Sequence, residues 1–146
     1  MILFVPVKLK EIFEKGKEYP WEKPKRCPVC KSCRVWGHGF VTACFDGFSE
    51  PLFIKLYRCD DCHSVIRIRP AGYFSRFQAS IEIIKRSISS KIEEGKWLSG
   101  ISRTRQNHWF RAFCRKMKAY FGLVPLKPDA FNRLLKEGTI PVSRAI

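Results

Sequence analysis

Cys27-Pro28-Val29-Cys30 is answered, after 28 intervening residues, by Cys59-Asp60-Asp61-Cys62, and this pairing constrains the fold more than any other feature of the chain. A two-residue spacer lets one tight turn present two thiolates to one metal ion, and zinc favours a tetrahedron of sulfur ligands. Two such pairs are most simply the four ligands of one zinc. The gap is longer than in a compact two-knuckle site. A long β-hairpin between the knuckles accounts for it and makes residues 25–70 a zinc ribbon. Cys33 repeats the spacing after Cys30 and is an alternative ligand, with His38 and His63 as weaker substitutes. Cys44 and Cys114 read as small core residues.

The ribbon reading agrees with the residues between and after the knuckles. Arg34-Val35-Trp36 and Phe40 to Phe45 carry β-branched and aromatic residues, Asp46-Gly47 signals a turn, and Leu52 to Arg58 forms a return strand. Val65 to Arg69 adds a third strand, closed by Pro70. Three short antiparallel strands have little core, so the zinc is expected to be structural and to supply most of the folding energy. Residues 1–24 read as an N-terminal arm, with a short helix through Leu9, Ile12 and Phe13 that ends at Gly16.

Past the ribbon the apolar period changes from two to 3.6. Phe74, Phe77, Ile81, Ile84, Ile88 and Ile92 step by three and four, which predicts a helix over 74–94 stopped by Gly95. A second helix is predicted over 102–121, between an N-cap at Ser102 and a stop at Gly122. Trp109, Phe113 and Met117 form its apolar face. Residues 71–122 thus make a helical segment. Residues 123–146 add a short helix, with Phe131, Leu134 and Leu135 inward, and a tail over the last eight. The fold class expected is α+β: a small antiparallel zinc ribbon followed by a helix-turn-helix-like segment.

A formal charge of +15 on 146 residues predicts attraction to a polyanion, either nucleic acid or an anionic membrane. No apolar run approaches the ~20 residues a bilayer span requires. The apolar start, Met1 to Val7, has no basic segment before it and stops at Lys8, unlike a signal peptide. The expectation is a cytoplasmic protein whose seven cysteines remain reduced. Between Glu94 and Asp129 there is no acidic residue but eight cations, among them Arg103, Arg105, Arg111 and Arg115. Arg103 and Arg105 fall in the first helical turn, where the helix dipole disfavours cations. Local stability therefore argues against this arrangement, and a bound polyanion reverses the balance. Gln106 and Asn107 beside them are the side-chain types that read adenine edges, as do the N-terminal residues of a recognition helix.

The knuckles, Arg34-Val35-Trp36-Gly37-His38-Gly39 and Tyr57-Arg58-Cys59 together resemble the zinc-ribbon proteins encoded with bacterial transposons. In that family a helical DNA-binding segment follows the ribbon, and Gly100 to Phe110 resembles the turn and recognition helix of its helix-turn-helix. The resemblance covers about residues 20–120. It implies binding of transposon DNA, with Cys27, Cys30, Cys59 and Cys62 on zinc and Arg103 to Arg111 at the DNA. Two positions depart from the helix-turn-helix pattern: Lys96 stands where a small residue is usual, and Gln106 where an apolar one is.

The function expected is a zinc-stabilised, non-catalytic protein that binds double-stranded DNA of a mobile element. Its roles would be those of an accessory, a regulator or the DNA-binding portion of a split transposase, with a transposase or recombinase as a further partner. Strand transfer needs carboxylates around two metal ions, and no such set is visible among 13 acidic residues. An RNA-binding zinc ribbon is the alternative, with Phe40, Phe45, Phe53 and Tyr57 stacking single-stranded bases. Cys59 to His63 also fits the haem-attachment pattern, but covalent haem requires export and leaves the first cysteine pair unexplained.

Overall fold

A computed structural model describes residues 1–122 and 125–143. Among them are a four-stranded sheet, four α-helices and one 3-10 turn, divided between two compact units, Met1–Ala79 and Ser80–Ile146.

Unit 1 holds the sheet, in the order β1 (Ile2–Val5), β4 (Val65–Pro70), β3 (Leu52–Cys59), β2 (Val35–Ala43). The β2–β3 hairpin and the β3–β4 pair are antiparallel, with a register shift between Gly37 and Phe40. β2 joins the two stretches read separately from the sequence. β1 runs parallel to β4, from Ile2 opposite Arg67 to Val5 opposite Pro70. The arm expected over 1–24 is therefore part of the sheet, and Pro70 lies inside β4 rather than beyond it. Its ring removes one backbone donor, which parallel pairing at a strand end tolerates.

Helix α1 (Leu9–Lys15) follows β1, and its Ile12 is fully buried. Gly16 ends it as expected, at φ 57°, with its N–H on the Ile12 carbonyl. One core cluster joins Ile12, Val35, Phe45, Leu52, Ile54, Tyr57, Ile66 and Ile68 with Cys27 and Cys59. Each large side chain buried there contributes on the order of 1.5–3 kcal/mol. The cluster exceeds what three short strands alone would enclose, so the sheet has an apolar core of its own.

The loop 71–79 also belongs to unit 1. Arg69 is buried, its guanidinium lies 5.1 Å from the Phe45 ring centre, and it donates to the carbonyls of Phe74 and Phe77. The Asp46 N–H donates to the Gln78 carbonyl. Burial holds the Arg69 pKa below the ordinary arginine range. The helix expected over 74–94 consequently begins only at Ile81. Phe74 and Phe77 fall in phase with the stripe, but their carbonyls are engaged by Arg69, and Arg76 has a left-handed φ of 68°. The boundary between units lies after residue 79, not after 70.

Unit 2 contains α2 (Ile81–Glu94), α3 (Arg103–Phe121) and α4 (Ala130–Lys136). Ser80 caps α2, its hydroxyl accepting from the Ile83 N–H, and Gly95 closes it at φ 69°. Ser102 caps α3 as expected, accepting from the Arg105 N–H, and Gly122 ends it. Ile84 and Ile88 of α2, Trp109, Phe113 and Met117 of α3, and Phe131 and Leu134 of α4 are buried. Leu135 is only half-buried. The tail expected over the last eight residues is anchored where it is described: Val142 is buried and Thr139 accepts from Lys116. Residues 123, 124 and 144–146 of the expected C-terminal segment lie outside the described residues.

Candidate metal centre and basic helical groove

The sulfurs of Cys27, Cys30, Cys59 and Cys62 all lie within 4.8 Å of one another. Cys27 Sγ is 3.6 Å from Cys62 Sγ, and Cys30 Sγ is 3.5 Å from Cys59 Sγ. A tetrahedron with metal–sulfur bonds of about 2.3 Å has edges of about 3.8 Å, so one ion fits between the four. Four cysteines are thus placed to bind a metal ion. Cys27 and Cys59 are fully buried at the base, while Cys30 is exposed.

Both knuckles read Cys-x-x-Cys-x-Ser, a short repeat not noticed in the sequence. The backbone explains it. Cys27 N–H donates to the Ser32 carbonyl at 2.8 Å, and Cys59 N–H donates to the Ser64 carbonyl at 3.1 Å. Each ring closes through a left-handed residue, Lys31 at φ 64° and His63 at φ 60°, a conformation costing a non-glycine residue about 1 kcal/mol. His63 is there for this turn. Neither it, His38 nor Cys33 belongs to the cluster of four sulfurs. Cys44 is exposed, not a core residue, whereas Cys114 is half-buried and burial pushes its thiol pKa up.

Asp60 and Asp61, between the second pair of sulfurs, tie the two knuckles together. Asp61 accepts from Arg34 at 2.9 Å and from the Ser32 hydroxyl, and Asp60 accepts from the Trp36 indole at 2.9 Å. These contacts are exposed, so each ion pair is worth at most about 1 kcal/mol. Hydrogen bonding with the Ser64 hydroxyl and backbone holds the Cys62 thiol down to about 6. The Ser32 backbone pulls the Cys30 thiol down, but desolvation and the neighbouring sulfurs together push it up to about 12.

On α3, Arg103, Arg111 and Arg115 are exposed and Asn107 is half-buried between them. Spaced by four, they span about 18 Å at 1.5 Å per residue. No described carboxylate forms an ion pair with these three arginines. Arg105 is half-buried, its guanidinium 5.1 Å from the Trp109 ring centre, and so leaves the row. Lys116, counted among the eight cations, turns inward at 3% exposure, and burial lowers its pKa.

Gln106 corrects the sequence reading most sharply. It is fully buried and cannot meet a base edge. Its side-chain oxygen accepts from the Ser87 hydroxyl at 2.7 Å and the Leu98 N–H at 2.9 Å. Its nitrogen donates to the carbonyls of Leu98 at 2.9 Å and Ile101 at 3.1 Å. All four hydrogen-bonding positions of the amide are filled, and they fasten α2 and the 95–102 connection to α3.

Beside the arginine row lies a groove of about 540 Å³, lined by Lys91, Trp97, Arg103, Thr104, Asn107, Phe110 and Arg111. Lys91 Nζ stands 4.6 Å from the Trp97 ring centre, and Trp97 meets Phe110 at 79° with centroids 6.1 Å apart. Lys91 and Trp97 escaped sequence reasoning because neither belongs to the charged row nor to a regular period. In unit 1, Phe45 and Tyr57 are core residues, and Phe40 and Phe53 carry lysines over their rings. Two of the four aromatics considered for base stacking are therefore inaccessible.

Among the described residues no helix is long and apolar enough to cross a membrane. No protein-family model, curated protein or solved structure matches the chain.

Proposed function

We propose that this chain is a non-catalytic, zinc-stabilised DNA-binding protein of a mobile element. The zinc is structural: four thiolates fill a tetrahedral shell and leave no position for substrate or water. In this reading residues 25–70 form a ribbon braced by the ion, and α2, the connection and α3 act as a helix-turn-helix. The mobile-element context comes from the sequence resemblance of the knuckles and of residues 100–110.

The observation that carries DNA binding is the exposed row of Arg103, Arg111 and Arg115, which has no carboxylate partner among the described residues. A helix that is merely solvated mixes charge signs, since opposite charges three or four apart stabilise it. Here the unbalanced charges repel one another until phosphates neutralise them. Arg103 and Arg111 contact phosphates or guanine edges, and Asn107 faces the bases.

Anisotropy titration of a labelled duplex at fixed, moderate salt tests the reading. Replacing Arg103 and Arg111 together by alanine should weaken binding tenfold or more, on the order of 1–3 kcal/mol for each good contact. Equal affinity of variant and wild type would remove α3 from the interface.

A further inference from the structure

A helix laid in the major groove is a convex object in a concave one. The groove beside α3 has the opposite shape: it is a half-open concavity, and a concavity takes something that protrudes from the polyanion. Two kinds of group protrude from nucleic acid, a phosphate and an unstacked base. A phosphate calls for cations and hydrogen-bond donors, not for aromatic rings. This concavity has cations in Lys91, Arg103 and Arg111, but it also has two aromatic rings set at 79° to each other and an amide at Asn107. A flat ring entering it would lie beside Trp97 and Phe110, with the Asn107 amide able to pair with a base edge once the Lys91 ammonium moves off the indole. Its volume of about 540 Å³ lies in the range of pockets that hold small molecules.

We propose that this groove receives a single unpaired nucleotide of the bound DNA, its base against Trp97 and Phe110 and its flanking phosphates on Arg103 and Arg111. The inference rests on the DNA-binding reading above and narrows it. The preferred ligand is a duplex that carries an extrahelical base or a single-stranded junction, not a perfect duplex. Lys91 is part of the device. Its ammonium lies over the indole, where it makes a charged wall beside the base and keeps the ring in place while the groove is empty. Unstacking a base costs least where it is already unpaired, so the groove selects for DNA that is locally open.

The experiment compares a perfect duplex with the same duplex carrying one unpaired thymine, by anisotropy competition on the full chain. Stacking of one base on aromatic side chains predicts about a tenfold or greater preference for the unpaired form. Trp97→Ala should bring that preference towards one. A variant that simply unfolds loses both ligands together, and Asn107→Ala, at a half-buried surface position, then decides: it should lower the preference while a thermal melt stays unchanged. Equal wild-type affinity for the two DNAs overturns this inference and leaves the DNA-binding reading standing. Failure to bind either DNA overturns both.

Discussion

Replacing Gln106 by leucine separates a buried polar anchor from a base-reading side chain. Leucine keeps nearly the same volume, so the loss is confined to the amide. Four groups then lose a partner: the Ser87 hydroxyl, the Leu98 N–H, and the carbonyls of Leu98 and Ile101. Ser87 is fully buried, while Leu98 and Ile101 are half-buried and can recruit water. A buried group left unsatisfied costs about 1–3 kcal/mol. Ser87 at the full cost and the other three at a fraction give about 3 kcal/mol. For a unit of this size each kcal/mol shifts Tm by roughly 4–8 °C, so the melt of the helical unit should fall by roughly 12–24 °C. Far-UV circular dichroism during heating measures it, with duplex affinity determined well below the transition. A Tm within about 2 °C of wild type, joined to a clear loss of DNA affinity, would refute the reasoning, because it would place the amide at the DNA.

Three further outcomes follow from the same structure. Cys59→Ser should abolish metal retention measured by elemental analysis and destabilise unit 1 by several kcal/mol, since the sulfur is both ligand and core; full metal content would reject the ligand assignment. Metal affinity, read by chelator competition, should rise with pH: Cys30 holds its proton at neutral pH until the ion displaces it, and below about 6 Cys62 is protonated too, so affinity should fall more steeply there. A flat profile from pH 5 to 8 would contradict thiolate ligation. Lys116 has a pKa lowered from 10.5 by burial, so the unfolded chain binds more protons and stability should rise as pH climbs towards 10.5; Lys116→Met should remove that rise and leave the melt at neutral pH unchanged or higher, whereas an unaltered alkaline profile would argue that the ammonium is hydrated.

The parts of the fold set by local spacing could be read from the chain. The two Cys-x-x-Cys turns, the hairpin strands, and the ends of α3 at Ser102 and Gly122 each depend on neighbours within a few residues. What escaped depended on distant partners. β1 is four residues long, and its pairing with β4 spans more than sixty positions. Phe74 and Phe77 sit in helical phase by coincidence, and Arg69 decides their conformation through their carbonyls. Gln106 gave two incompatible signals, a polar residue beside arginines and an intruder at a position that is usually apolar. The second was right about burial: the side chain faces inward because its amide finds four partners there. The groove was invisible because Trp97 lies in an irregular connection, where no periodicity marks its direction.

The central claim is that the arginine row of α3 meets phosphates, and the salt dependence of wild-type binding to duplex DNA tests it most directly. If Arg103, Arg111 and Arg115 each neutralise one phosphate, a plot of log K against log salt should have a slope of about −2.7 or steeper. A slope near zero, or duplex binding that persists undiminished at high salt, would contradict the account.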